Sequence, residues 1–300
     1  MTIRGRLLLA MSWLACRLPE GPAFRCADLA GDLWYRLKPG RADQARRNLR
    51  RVCRSLAESG RGGPRVRAAA TDPKALERLV RSSFRHAARY YLEVARTPSI
   101  TPAFVDERLA LDTPELIAEA VVPGKAVLFV GLHFGSLELA VIFLAFRVGE
   151  TVTPMETIED PGLQAYFERT RGVAGIRLVG DRDLTGGGTE IPLFGAPARM
   201  PMGPAMLAVE SGVPTYGMTV RRAASGHYRG RIVPIDVPSE GTRRERVTAT
   251  MTRLAAVFEE LIADAPDQWW AIFFPIWPDL EAAKGGAGGD GEGTAPEAAA

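Results

Sequence analysis

The sequence predicts an α/β protein in which a mostly buried sheet is flanked by helices and follows a helical N-terminal region. Two patterns predict this class. Through residues 1–120, apolar residues recur at three-to-four spacing, as on amphipathic helices. After residue 120, short continuous apolar segments alternate with helical ones, which is typical of a sheet covered on both faces. The composition, 46% hydrophobic and 24% charged, argues against collagen-like, disordered and polytopic membrane classes.

Helical spacing in the first part of the chain predicts four helices, near Ile3–Arg17, Pro22–Leu37, Arg41–Leu56 and Pro73–Ala95. The glycine-rich stretch Glu58–Pro64 is expected to be a loop. A shorter helix is predicted around Thr113–Ala120, with Thr113 as its N-cap and a proline in its first turn.

The second part of the chain carries the predicted sheet. Continuous or β-branched apolar segments predict strands at 125–132, Thr151–Met155, Ile176–Val179, Val213–Arg222 and Tyr228–Ile235. Helices are predicted between them, from Ser136 as cap to about Arg147, at Pro161–Arg171, from Gly203 to Glu210 and at Arg243–Ala263. After about Leu280 the chain is Gly/Ala-rich. We therefore expect one domain over 1–280, with a helical part (1–120) and an α/β part (121–280), and a disordered tail over 281–300.

Charge is concentrated at the N-terminus. Residues 1–70 carry a formal net charge of +10 and the remainder −7, which indicates a polyanionic surface as partner. No RRM, helix-turn-helix or zinc pattern supports nucleic acid as that partner. The three cysteines and three histidines have no metal-ligand spacing, so we expect no metal site and free thiols in a reducing compartment.

The apolar segment Leu7–Cys16 is too short to span a membrane and is flanked by arginines. Three interpretations stay open. The favoured one is a helix that lies in a membrane interface. The alternatives are a buried core helix and a signal peptide, although no A-x-A cleavage site follows closely.

His133 is the candidate catalytic residue. It directly follows a predicted buried strand, and α/β sheets place their sites at the carboxyl ends of strands. With His133 in the turn and Glu138 in the first turn of the next helix, the two side chains can meet. A carboxylate beside an imidazole fixes its tautomer and stabilises the imidazolium. From spacing alone, a purely structural role for this histidine–glutamate pair is the favoured interpretation.

A polar, glycine-rich segment at 180–191 is the second candidate, either a site loop or a plain connection. It has neither a P-loop nor a dinucleotide-binding pattern, which argues against nucleotide binding. Nearby arginines could bind phosphate groups of a charged donor or lipid, or could be solvated surface residues; they are Arg169, Arg171, Arg177, Arg182 and Arg199.

Several stretches together resemble one enzyme family. The segment His133-Phe-Gly-Ser-Leu-Glu138 resembles the H-x4-D/E motif of glycerolipid acyltransferases. The chain resembles, more specifically, the lipid A biosynthesis acyltransferase family and its phosphatidylinositol mannoside acyltransferase branch. The collinear stretches that carry the resemblance are YRLKPGRADQARRNLRRV, RYYLEVAR, VLFVGLHFGSLE, GDRDLTGGGTEIPLFGAPARMPMGPAMLA and DQWWAIFFPIWPD.

The resemblance implies a glycerolipid-acyltransferase-like fold with a mixed sheet. It implies a peripheral enzyme on the cytoplasmic face of the cell membrane (the inner membrane where there are two). Such enzymes move a fatty acyl chain from acyl-CoA or acyl carrier protein to a hydroxyl of a membrane glycolipid, here a phosphatidylinositol mannoside or a relative. The thioester is a co-substrate, and no further cofactor is implied. The alternatives are a lipid A precursor or lysophospholipid as acceptor, and an inactive membrane-binding homologue.

The resemblance also assigns roles to residues. His133 would be the general base, with no acyl-enzyme, paired with the glutamate that matches Glu190, and Glu138 fills the acidic position of the motif. The substrate-binding residues implied are Arg169 or Arg171, Arg182, Asp183 and Arg199. The sequence departs from the family by lacking a strand-and-helix stretch before Asp181, where Ile176–Val179 could stand in for the missing strand. A lipid or thioester hydrolase is a further alternative, but Ser136 lacks the G-x-S-x-G pattern.

Overall fold

The computed structural model describes residues 3–148, 177–182 and 187–281. The helices are listed in chain order: α1 Ile3–Arg17, α2 Glu20–Leu37, α3 Pro39–Glu58, α4 Pro64–Thr71, α5 Pro73–Arg96, α6 Pro102–Arg108, α7 Pro114–Ala120, α8 Leu137–Val148, α9 Gly203–Ser211 and α10 Arg243–Ala263. Local sequence explains several of their starts. Asp72 accepts the first backbone N–H groups of α5, and Thr242 and Glu245 form a capping box at α10.

Five strands form the central sheet, and two form a separate hairpin. The sheet strands are β1 Leu109–Leu111, β2 Leu128–Gly131, β3 Arg177–Val179, β6 Thr215–Arg222 and β7 Tyr228–Ile235, in the order β1-β7-β6-β2-β3. β6 and β7 are antiparallel, whereas the other neighbouring pairs are parallel. The predicted mixed sheet is therefore confirmed. β4, Thr189–Leu193, and β5, Ala196–Met200, form the antiparallel hairpin.

Both faces of the sheet are covered. On β2, Leu128 and Val130 pack into the larger core cluster with α3, α5 and α10, whereas Phe129 packs into a second cluster with α7 and α8. All four residues of β2 are buried. The continuous apolar pattern that predicted a strand buried on both sides is thus explained by these two layers.

The predicted helices α1, α2, α3, α5, α7, α8, α9 and α10 and the strands β2, β3, β6 and β7 are present, and most of their ends are shifted by a few residues. The Thr113 side chain makes no capping bond, and its hydroxyl instead lies 3.5 Å from the carbonyl oxygen of Ile232. Short elements that the sequence did not predict are α4, α6, β1 and the β4–β5 hairpin. The interpretation of 180–191 as a loop is therefore wrong from Thr189 onward.

Some predictions lie outside the described residues: the strand Thr151–Met155, the helix Pro161–Arg171 and the tail from residue 282. The division of the chain into a helical and an α/β part of one domain stays a prediction. Within the described ranges, no helix has the length and apolar character needed to cross a membrane.

Candidate active site

His133 and Asp181 lie side by side at the carboxyl ends of two parallel strands. Gly131 of β2 is the register partner of Val179 of β3, and the N–H of Gly180 donates to the carbonyl of Gly131. His133 is the second residue after Gly131, and Asp181 is the second residue after Val179. Both therefore follow the end of their strand at the same edge of the sheet. The predicted strand Ile176–Val179 is thus present as β3, which lies beside β2.

The carboxylate of Asp181 holds the imidazole of His133. Asp181 Oδ1 lies 2.6 Å from His133 Nδ1, and Oδ2 accepts the backbone N–H of His133 at 3.1 Å and the indole N–H of Trp269 at 2.6 Å. Burial opposes ionisation of Asp181, but the His133 charge and these hydrogen bonds lower the pKa of its carboxyl below the ordinary value. Because a carboxylate only accepts, Nδ1 carries a proton, and in the uncharged form of this tautomer the lone pair lies on Nε2.

The Nε2 atom of His133 is buried and has no hydrogen-bond partner among the described residues. The ring of Trp270 packs edge-on against the imidazole, with centroids 4.5 Å apart. The indole N–H of Trp270 is also buried, and no residue in the described ranges accepts it. Buried polar atoms left unpaired cost free energy and call for an explanation. A substrate that brings a hydroxyl to Nε2 would supply one.

The turn that carries His133 is held on three sides. Gly135 donates to the carbonyl of Gln268, and its own carbonyl accepts from the guanidinium of Arg222 at 2.9 Å. The side chain of Arg222 is buried and makes two bonds to Glu93 of α5. Gly135 has a φ of +55°, and a Cβ at this position would lie 2.1 Å from the carbonyl oxygen of Val220. Only glycine fits this turn without displacing β6.

The segment 267–270 connects these groups. Asp267 is buried, and its Oδ2 accepts from Ser82 at 2.7 Å and from Arg65 at 3.1 Å, with Nε2 of His86 at 3.8 Å. Burial lowers the pKa of His86 to about 4, so its ring is neutral at pH 7. Asp267 therefore anchors the segment that presents Gln268 to the turn and Trp269 to Asp181.

The predicted site residues do not all come together. Glu138 is buried and lies five residues after His133 in the chain. Its carboxylate accepts a hydrogen bond from Tyr90 at 3.2 Å, and neither ring nitrogen of His133 bonds to it. Glu190 is exposed on the hairpin, opposite Arg199 in register, and makes no hydrogen bond to His133. The expected pairing of His133 with Glu138 or Glu190 is thus replaced by Asp181. The catalytic roles of both glutamates stay predictions.

The substrate-binding predictions are spread over different surroundings. Arg182 directly follows Asp181, and its guanidinium lies 3.6 Å from the centroid of the Phe274 ring. Arg199 is exposed on β5. Arg169, Arg171 and Asp183 lie outside the described residues. In the described ranges, no group of three or more His, Cys, Asp or Glu side chains is arranged to hold a metal ion.

Asp181, Trp269 and the pair Arg222–Glu93 were not identified from the sequence as site residues. A signal for Asp181 was present, because it follows a predicted strand just as His133 does. If those two strands are neighbours in a parallel arrangement, both residues reach the same sheet edge. No comparable local pattern marks Trp269, Arg222 or Glu93, which come from distant parts of the chain.

Comparison with known proteins shows the family of the chain. The model of the bacterial lipid A biosynthesis acyltransferase family matches residues 66–179 and 159–274. The chain belongs to this family and is an acyltransferase.

Two relatives are named phosphatidylinositol mannoside acyltransferases. The one from Mycolicibacterium smegmatis is 27% identical over 313 aligned positions, which cover 92% of this chain and 95% of the relative. The one from Mycobacterium tuberculosis is 28% identical over 301 positions, covering 89% of this chain and 87% of the relative.

Proposed function

We propose that the protein transfers a fatty acyl chain from acyl-CoA to a hydroxyl of a phosphatidylinositol mannoside or a related glycolipid, with His133 as general base. The observation that carries the proposal is the imidazole of His133. Its Nδ1 is fixed by the ionised Asp181, and its buried Nε2 is unpaired. The names of the two mycobacterial relatives support the acceptor class.

In the proposed reaction, Nε2 of His133 takes the proton of the acceptor hydroxyl as its oxygen attacks the thioester carbonyl carbon. The C–O bond forms, the C–S bond breaks, and the imidazolium returns the proton to the leaving thiolate. Asp181 stabilises the imidazolium between these steps because its carboxylate is buried 2.6 Å from Nδ1. Neither step requires an acyl-enzyme.

The remaining predicted site residues have proposed roles in substrate contact. Glu190 and Arg199 face each other on the exposed side of the hairpin, while Ile191 and Ala198 of the same strands are buried in the core. One acidic and one basic side chain thus lie together on an exposed surface, on a hairpin that comes after Gly180–Arg182 in the chain. We assign Glu190, Arg199 and Arg182 to substrate binding rather than to proton transfer. As the resemblance implies, we also propose Glu138 as a catalytic residue. Arg169 or Arg171, together with Asp183, would then bind substrate.

A membrane-facing surface is proposed on α1 and α2. Seven large apolar side chains on or next to these helices are 42–69% exposed: Met11, Trp13, Leu14, Leu18, Leu29, Leu33 and Leu37. The three leucines of α2 recur every four residues and so share one helix face. Exposed basic residues accompany them, among them Arg17, which stacks on Trp13. This α1–α2 apolar face supports peripheral binding to anionic lipid. We propose the cytoplasmic face of the membrane because the resemblance implies it.

Acyl transfer is tested by mass spectrometry with the purified protein, palmitoyl-CoA and a mannosylated phosphatidylinositol. An acylated glycolipid that is lost in a folded His133→Ala variant is expected, since a positioned base contributes about 10²–10⁴-fold. Lipid A precursor and lysophospholipid are offered in parallel. Transfer to one of these alone would overturn the acceptor class, and full transfer by His133→Ala would overturn the mechanism.

Membrane binding is tested by flotation with vesicles of phosphatidylinositol and phosphatidylcholine. The double variant Leu29→Ser, Leu33→Ser is expected to bind at least about tenfold more weakly, because each buried leucine contributes about 1.5–3 kcal/mol. The matched control is Met202→Ser, an exposed apolar residue outside the α1–α2 apolar face. Equal binding by the double variant and the control would contradict this assignment.

A further inference from the structure

A cleft leads from the start of α2 to the turn that carries His133. Its outer part has a volume of about 490 Å³ and lies between α2, α5, α6 and the turn that joins β6 to β7. Its inner part, about 180 Å³, shares Glu20, Phe24, Arg108 and Tyr228 with the outer part and reaches Ser136, three residues beyond His133. Four arginines line the two parts, so we name it the arginine cleft: Arg89, Arg96, Arg108 and Arg222.

Arg222 gives the cleft an unsatisfied donor. Its side chain is only 5% exposed, and two of its nitrogens bond to Glu93 while one of these also bonds to Gly135. The remaining nitrogen, Nη1, is buried and has no hydrogen-bond partner among the described residues. A buried charged donor without an acceptor is costly, and an anionic oxygen would remove that cost.

Arg108 is the arginine best placed to respond to a ligand. Its Nε donates to Glu107 at 3.0 Å, whereas its Nη1 donates to the carbonyl of Gly226 at 3.3 Å and lies 3.8 Å from the carboxylate of Glu20, so both contacts of Nη1 are long. Glu20 and Arg108 face each other across the mouth of the cleft. A phosphate that entered here would exchange one weak ion pair for a closer one.

We propose that the arginine cleft binds the phosphodiester of the lipid acceptor, and this inference rests on the proposed function. The cleft opens at Glu20 and Phe24 of α2, directly after the exposed Leu18 of the α1–α2 apolar face. A lipid whose chains insert beside Leu18 therefore presents its phosphate at the mouth, and its headgroup extends inward to Ser136, three residues beyond His133.

Direct binding is measured by calorimetry with glycerophosphoinositol as the probe, which carries the phosphodiester without acyl chains. Inositol and inorganic phosphate are the comparison ligands. We expect Arg108→Gln to raise the dissociation constant about tenfold or more, because a charge-assisted hydrogen bond is lost. Glu20→Gln is expected to lower it about threefold, because a competing carboxylate is removed. Arg50→Gln, an exposed arginine of α3 for which the described residues show no bond, is the control.

The outcomes separate this inference from the proposed function, because binding is read without acyl transfer. Binding of glycerophosphoinositol that responds to Arg108→Gln but not to Arg50→Gln supports the inference even where no acyl transfer is found. Equal affinity for inositol would overturn phosphate recognition, and equal affinity for inorganic phosphate would overturn headgroup recognition. An equal loss of affinity in Arg108→Gln and Arg50→Gln would overturn the inference, because it would show that the net charge of the protein alone decides binding. In transfer assays, Arg108→Gln is expected to raise the KM for the lipid acceptor about tenfold with kcat unchanged.

Discussion

The change Asp181→Asn keeps the shape of the site but reverses one hydrogen bond. Oδ2 of Asp181 receives two N–H groups, from His133 and Trp269, so the amide oxygen of an asparagine must take this position. The amide nitrogen then faces Nδ1 of His133 and donates to it. Nδ1 becomes an acceptor, the ring proton moves to Nε2, and Nε2 has no lone pair to accept the proton of a hydroxyl.

The expected size of the effect follows from this reversal. An aspartate-to-asparagine change that leaves the wrong tautomer lowers kcat of a Ser-His-Asp triad by about 10⁴-fold. A loss of about 10²–10⁴-fold, or about 3–5 kcal/mol of activation free energy, is expected here. Stability should change little, because all three hydrogen-bonding positions around residue 181 remain paired.

The assay measures kcat for acyl transfer and the midpoint of urea unfolding for Asp181→Asn and for Asp32→Asn. Asp32 is a matched control, because it accepts bonds from Arg81 and Arg85 on the helical side, with no contact to the site. A kcat within tenfold of the wild-type value for a folded Asp181→Asn variant would refute the tautomer argument.

Three further predictions follow from the same structure. Trp269→Phe removes one hydrogen-bond donor from Asp181 Oδ2 and should lower kcat about tenfold. The rate is measured at saturating concentrations of both substrates. An unchanged kcat would show that this hydrogen bond does not hold the carboxylate. Gly135→Ala should lower the free energy of unfolding by about 3 kcal/mol in urea, because its Cβ meets the Val220 carbonyl; a loss below about 1 kcal/mol would contradict the clash. The pKa of His86 in the folded state is about 4, so as pH falls below 6.5 the unfolded state takes up a proton before the folded state does. The free energy of unfolding should therefore drop by about 3 kcal/mol between pH 6.5 and 4. His86→Gln should reduce this pH dependence, and an unchanged pH dependence would refute the lowered pKa of His86.

Local patterns predicted the parts of the fold that depend on local physics. The apolar segment before His133 forms β2, where every residue is buried, and α8 begins directly after Ser136. The partner of His133 was missed because it depends on which strands are neighbours. Periodicity identifies a strand but not its position in a sheet, so Asp181 and Glu190 could not be distinguished from the chain alone.

The β4–β5 hairpin escaped prediction for a different reason. Pro192 and Pro197 argue against strands, and the turn residue Phe194 has a φ of +49°, which a bulky residue rarely adopts. Tertiary contacts hold it: its ring lies near those of Trp269 and Trp277, and its N–H donates to Glu259. A turn fixed by residues far along the chain leaves no local sequence signal.

The contribution of residues 267–270 to the site bears on the order of events during protein synthesis. Asp181 and the indole that donates to it are 88 positions apart, and the N–H of Trp270 bonds to the carbonyl of His133. At about 5–20 residues per second, the ribosome exposes β2 and β3 seconds before this segment emerges. A nascent chain therefore carries His133 and Asp181 before the tryptophans that hold the carboxylate and the turn. We expect this pair to reach its final geometry only when Trp269 and Trp270 have docked.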